Sequence, residues 1–312
     1  MTAAVLGARS TPVHRAAWRW VHLAAAVATL AVLVWSVGTG PFLDGLRAVD
    51  IGALAAGSGI AVVTTVCCAW RWKTVARGLG ADAPLPAAVA AYYRSIFLNV
   101  TLPGGVLGDV HRGISHGRDT GGVGRGLRAV AWERSAGQAV QLVLTVAVLL
   151  LLPSPVRAVA PLIALALLVA AAGVVLATGV GPAVRAWPVI TLASALVVAG
   201  HAVTFLIAAR TAGVTAPLSE LLPLALLVLL GAALPNIGGW GPREGVTAWA
   251  FAAAGLGASL GVATAVVYGV MVLVASLPGA AVLVAAELTT GARAHRALAG
   301  QDPARWDGVP DV

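Results

Sequence analysis

Long stretches of this chain carry no Asp, Glu, Lys or Arg at all. There are 24 such residues between Arg19 and Asp44, 20 between Asp50 and Arg71, and 22 between Arg134 and Arg157. Another 27 lie between Arg157 and Arg185, 24 between Arg185 and Arg210, and 42 between Glu244 and Glu287. A helix that crosses about 30 Å of hydrocarbon needs about 20 apolar residues, each rising about 1.5 Å. Only 10% of the 312 residues are charged and 59% are hydrophobic, whereas a soluble domain carries roughly 25% charged residues. That composition rules out disorder and a disulfide scaffold, and it leaves too few polar groups to coat a soluble enzyme. The sequence predicts an all-α polytopic membrane protein with spans at about 18–38, 51–71, 129–152, 158–178, 188–209 and 262–287.

The net charge of +8 raises nucleic acid as a partner, but the distribution of the charge excludes it. With a cytoplasmic N-terminus, sixteen of the twenty basic residues fall in cytoplasmic segments, and only Arg47, Arg157, Arg210 and Arg243 fall on the other side. This is the positive-inside bias. It predicts a cell-membrane protein with both termini cytoplasmic, the 40–50 loop outside and the 72–83 loop inside. The expected organisation is a basic N-terminus over 1–17, one membrane domain over 18–290, and a disordered cytoplasmic tail over 291–312. Cys67 and Cys68 are adjacent, so on a helix they face apart, and neither a disulfide nor a metal pair is expected.

Two segments resist reading as simple spans. Each begins with an apolar helical run and ends at Leu-Pro and a glycine cluster: Leu102-Pro103-Gly104-Gly105 with Gly108, and Leu234-Pro235 with Gly238, Gly239 and Gly241. Proline removes a backbone donor and glycine disfavours helix, so both runs should stop there. Broken backbone at membrane depth survives where protein or a wet cavity satisfies it. Both segments are therefore expected to be re-entrant hairpins. They also resemble each other. Arg77-x-x-Gly80-x-x-Ala83-Pro84-Leu85 matches Arg210-x-x-Gly213-x-x-Ala216-Pro217-Leu218, and Leu102-Pro103 matches Leu234-Pro235 at nearly the same offset. An odd number of crossings between the copies would make the halves, about 18–152 and 158–290, inverted repeats. The expected architecture is about six spanning helices plus two re-entrant hairpins.

Polar residues cluster at these breaks. Asn99, Asp109 and Arg112 attend the first; a glycine-rich turn at a helix start offers backbone donors to an anion, and Arg112 adds a forked pair. Asp109 and Arg112 also sit one turn apart, so they suit a structural ion pair as well. Asn236, Arg243 and Glu244 attend the second, where Glu244 suits a helix cap and a ligand role equally. Pro103 and the glycines are expected chiefly to shape the turns. On the third span, Glu133 is expected to find an intramembrane partner, Arg112 or Arg94, while Arg134 snorkels to the interface as an anchor. His22 and His201 read as packing residues, as do Tyr92 and Tyr93. No metal pair, nucleophile elbow, nucleotide loop or dinucleotide fingerprint is present, so neither a cofactor nor a metal is expected and the chain is read as transporter-like rather than enzymatic.

The motifs Asn99…Leu102-Pro103-Gly104…Gly108-Asp109-Val110-x-Arg112, Glu133-Arg134, and Leu234-Pro235…Gly238-Gly239-x-Gly241-x-x-Glu244 resemble the lysylphosphatidylglycerol synthase transmembrane region. This is the flippase-like integral membrane family also represented by the membrane half of MprF-type proteins. The resemblance runs from about residue 18 to 290 and implies that Asp109, Arg112, Glu133, Arg134, Arg243 and Glu244 belong to a shared polar core. It implies a role in moving a lipid between leaflets, without the soluble synthase domain of bifunctional members. The cargo would be a phospholipid or a polyprenyl-linked glycan. The alternatives are a membrane enzyme acting on a lipid phosphate, and a scaffold for a partner glycosyltransferase or lipid synthase.

Overall fold

A computed structural model describes residues 31–32, 34–166, 169, 173, 186–232, 236, 240–286 and 288. Among them there is helix and no strand. In chain order the helices are α1 (Gly40–Ala48), α2 (Ile51–Gly78), α3 (Leu85–Thr101), α4 (Leu107–Asp119) and α5 (Val123–Leu151). They continue with α6 (Arg157–Ala166), α7 (Trp187–Thr211), α8 (Leu218–Ala232), α9 (Pro242–Ala253) and α10 (Ala258–Ala286). Four of them, α2, α5, α7 and α10, are long and apolar enough to cross a membrane. Val62, Val63, Val143, Leu192, Leu196 and Val203 point outward from these helices, as side chains facing lipid must. The protein is a multi-pass helical membrane protein.

Of the six expected spans, the second, third, fifth and sixth agree with α2, α5, α7 and α10, with differences at their ends. The second span continues seven residues past Arg71 to Gly78, so the expected 72–83 loop shrinks to a short turn. The expected 40–50 loop is instead helix α1, which starts on a proline in its first turn and packs on α10. Of the expected first span, residues 31–32 and 34–37 are described and helical; of the fourth, α6 and the helical residues 169 and 173 are described. The basic N-terminus and the C-terminal tail lie outside the described residues.

The helix ends follow from the sequence. Asp50 caps α2 by accepting the Ala53 N–H at 2.8 Å, one of the donors a helix start leaves open. At the other end Gly80 takes φ +75°, and the Ala81 N–H closes back on the Ala76 carbonyl. The end of α7 does the same: Gly213 takes φ +91° and the Val214 N–H closes on Ala209. The matched Arg-x-x-Gly-x-x-Ala-Pro-Leu motifs thus fold into one and the same left-handed turn, which only glycine enters without strain. Pro84 and Pro217 then lead into α3 and α8.

Short helix pairs stand where both hairpins are expected. Helices α3 and α4 have 17 and 13 residues, and α8 and α9 have 15 and 12. At about 1.5 Å per residue none reaches the ~30 Å that a span requires. The order long helix, broken hairpin, long helix therefore occurs twice, as α2–α5 and as α7–α10. Gly104 and Gly105 hold the first break at φ +104° and +66°, whereas Gly108, expected within the break, already lies in the first turn of α4. Of the second break only Asn236 and the segment from Trp240 onward are described; Pro235, Gly238 and Gly239 lie outside.

Glycine lets the helices approach closely, which drives packing where the surrounding lipid is as apolar as the interface. On α5, a Cβ at Gly126 would run into the α4 backbone at Gly113 and Gly117, while Gly124 two residues earlier faces open space. Gly126→Ala should therefore lower the melting temperature of the detergent-extracted protein, since overpacking costs about 1–3 kcal/mol. Gly124→Ala should leave it equal or higher through better helix propensity. Equal behaviour of the two would contradict this packing.

Candidate functional site

Glu133 lies on α5, one face of which meets α2, α4 and α7. Its side chain is fully buried. Oε1 accepts from Arg71 Nε at 2.8 Å, from a second Arg71 nitrogen, and from the Tyr92 hydroxyl at 2.9 Å; Oε2 accepts from Arg112 Nη2 at 3.1 Å. One carboxylate thus ties together α2, α3 and α4. Arg71 reaches on to the Ser194 hydroxyl of α7 at 2.9 Å. Arg112 bonds Asp109 at 2.9 Å and lies between the rings of Trp72 and Tyr92, 4.6 and 4.1 Å from their centroids. Among the described residues its Nε and Nη1 have no hydrogen-bond partner, so the two aromatic faces carry that part of the charge.

Asp109 is satisfied from three sides besides Arg112. Ser95 donates at 2.9 Å, Asn99 Nδ2 at 2.8 Å, and Arg134 Nη1 pairs with it at 2.8 Å. Arg134, expected as an interfacial anchor, pairs with Asp109 while 45% of its side chain stays accessible. Asn99 also accepts the Gly108 N–H at 2.8 Å, so it caps α4 while it fixes the aspartate. The glycine at 108 leaves no room for a side chain against the Ser95 carbonyl, which is why α3 and α4 can cross there.

The second hairpin carries a smaller counterpart. Glu244 is fully buried and its Oε2 accepts the Gly241 N–H at 2.6 Å, closing the start of α9. Its Oε1 accepts from Arg243 Nε at 2.9 Å and from a second nitrogen of that arginine. The Arg243 guanidinium sits 5.6 Å from the Trp240 ring and 5.3 Å from Tyr268, whose hydroxyl meets His201 Nδ1 at 3.2 Å. In both halves a glycine makes way for the arginine. A Cβ at Gly137 would stand 2.7 Å from Arg71 Nη1, and one at Gly269 would stand 2.6 Å from Arg243 Nη2.

The two halves meet at the hairpin tips: the Gly104 N–H donates to the Asn236 carbonyl at 2.7 Å. A Cβ at Gly105 would stand 2.7 Å from the Asn236 amide. Gly105 and Asn236 at this junction help line a cavity of about 640 Å³ formed by both halves, a volume in the usual range for ligand pockets. Its polar wall includes Arg71, Asn99, Arg134, Asn236, Arg243 and Gln141. Asp109, Arg112, Glu133 and Glu244 do not line it; they stand behind the arginines. Pro103 and Gly104 lie at the tip, and Gly241 starts α9.

Several of these residues escaped the sequence reading. Arg71 closes a charge-free run, which places it at the expected end of a span, but α2 continues beyond it and buries it. Tyr92, read as packing, is a ligand of Glu133, and Arg94 is not. His201 matches its reading as a hydrogen-bonded packing residue but also lines the cavity. Cys67 and Cys68 are free and buried. Among the described residues no cluster suited to a metal ion occurs.

Removing Glu133 leaves two buried guanidiniums without their shared counter-charge, and breaking a buried pair costs about 3–5 kcal/mol. Glu133→Ala should therefore lose most folded protein, read as the monodisperse yield in mild detergent. Asp82→Ala, which removes the half-exposed partner of Lys73 and Arg77, should leave the yield unchanged.

The family model of the lysylphosphatidylglycerol synthase TM region matches residues 19–183, more than half of the chain. The match takes in the first hairpin and the Glu133–Arg134 pair and ends before the second hairpin. No curated protein matches the chain.

Proposed function

Because the chain belongs to the lysylphosphatidylglycerol synthase transmembrane region family, we propose that it is a lipid translocase whose cavity carries a headgroup between leaflets. The observation that carries this reading is the cavity lined from both hairpins, into whose largely apolar wall three arginines and several amides project. A charged headgroup in hydrocarbon is costly, and arginine and amide side chains on the cavity wall would replace its hydration while the acyl or prenyl chains stay in lipid. The paired order of elements and the two identical helix-end turns favour inverted repeats. Rocking one half against the other would then open the cavity to each side in turn. The protein would sit in the cell membrane with both termini cytoplasmic, and a membrane glycosyltransferase or lipid synthase would be a natural partner.

An enzyme acting on a lipid phosphate by carboxylate acid–base chemistry is the weaker reading. Asp109, Glu133 and Glu244 are each held by an arginine, and none of them faces the cavity.

Proteoliposomes containing only this protein should move a labelled phospholipid headgroup across the bilayer faster than empty liposomes. Cysteines at Gly105 and Asn236, with Cys67 and Cys68 replaced, should cross-link and stop that flux without unfolding the protein. Flux equal to that of empty liposomes would turn the reading toward a scaffold. For orientation, a cysteine replacing Arg47 should be labelled from outside and one replacing Arg77 should not; both side chains are exposed.

A further inference from the structure

The cavity wall is uneven in charge. Arg71, Arg134 and Arg243 line it, from α2, α5 and α9, and among the described residues no aspartate or glutamate does. The first network holds Arg71, Arg112 and Arg134 against Asp109 and Glu133, a surplus of one positive charge. Arg243 and Glu244 balance each other, but the arginine faces the cavity and the carboxylate lies behind it. The potential inside is therefore positive, and low-dielectric walls concentrate it.

Two further features point to an anion. Gln141 lines the cavity, and its buried side-chain nitrogen has no hydrogen-bond partner among the described residues; a buried donor left open is costly unless something fills the site. Arg134 has the most exposed side chain of the network, 45% accessible, and among the described residues its ion pair is to Asp109 alone. A guanidinium offers five donors, so most of those on Arg134 remain available. If Arg134 turned into the cavity, Asp109 would keep Arg112, Ser95 and Asn99 and would not be left bare.

We propose that this cavity is a phosphate site selective for net-anionic lipid headgroups, with Arg134 as the exchangeable ligand that trades Asp109 for the phosphate. Arg71 and Arg243 flank the same space from opposite halves, and the amide of Gln141 supplies a neutral contact. A headgroup with net positive charge is disfavoured because no carboxylate in the wall is available to receive it. This selectivity rests on the translocase reading for its biological sense, but it concerns binding alone.

The test is thermal stabilisation of the full chain in a neutral detergent. The probes are phosphatidylglycerol, phosphatidylcholine with the same acyl chains, a cationic lipid with the same acyl chains, and inorganic phosphate. Phosphatidylglycerol should raise the melting temperature at concentrations at least tenfold below those the other two lipids need. Arg134→Gln should remove that preference, and the exposed-site control Arg47→Gln should retain it. If Arg134→Gln fails to fold, Gln141→Leu and added salt replace it, and both should weaken the phosphatidylglycerol effect. Stabilisation by inorganic phosphate equal to that by phosphatidylglycerol would assign the site to a soluble anion and overturn the lipid selectivity. Equal stabilisation by all three lipids, or an effect that survives both variants, would overturn the anion site. Anionic binding without flux in proteoliposomes leaves the site and removes the translocase; flux indifferent to headgroup charge and to Arg134 does the reverse.

Discussion

The buried carboxylate of Glu133 is the point on which this structure turns. It draws Arg71 of α2, Tyr92 of α3 and Arg112 of α4 to one place, so that the first hairpin is bolted to two spans by charge-assisted bonds. In a bilayer, apolar contact gives little preference for one helix partner over another, since lipid tails are as apolar as leucine. Ion pairs that must be satisfied internally do give such a preference. A buried pair adds little net stability over a well-packed apolar core, but losing one partner is severe. The network is therefore better understood as fixing the register of α2, α4 and α5 than as a source of folding energy.

That register has a consequence for the cavity. By holding the carboxylates behind the wall, the ion pairs turn the arginines partly outward. Gly137 and Gly269 allow this by giving each guanidinium a channel past a neighbouring span. The same hairpins that cannot cross the membrane alone meet at Gly104 and Asn236, so broken backbone finds its hydrogen bond in the other half of the protein. This is the condition under which irregular backbone persists at membrane depth.

Much of this was legible in the sequence. Charge-free runs gave the spans because hydrocarbon thickness sets a minimum length that composition alone reveals. The Leu102-Pro103-Gly104-Gly105 cluster marked the first hairpin break because backbone chemistry is local. The repeated Arg-x-x-Gly-x-x-Ala-Pro-Leu motif foretold two like turns, since a left-handed residue at a helix end calls for glycine. The Asp109–Arg112 pair and the capping role of Glu244 followed from helical spacing.

The partners of Glu133, the pairing of Arg134 with Asp109 and the burial of Arg71 were decided only by the tertiary structure. Each depends on which faces of separate helices come together, and residues 62 positions apart, such as Arg71 and Glu133, leave no periodic trace in one sequence. Whether an arginine at the end of an apolar run snorkels to water or turns inward to a carboxylate depends on what the neighbouring helix offers at that depth. Sequence determined which residues had to be buried and where the chain had to break; packing determined which charge answers which, and so which of them face the cavity.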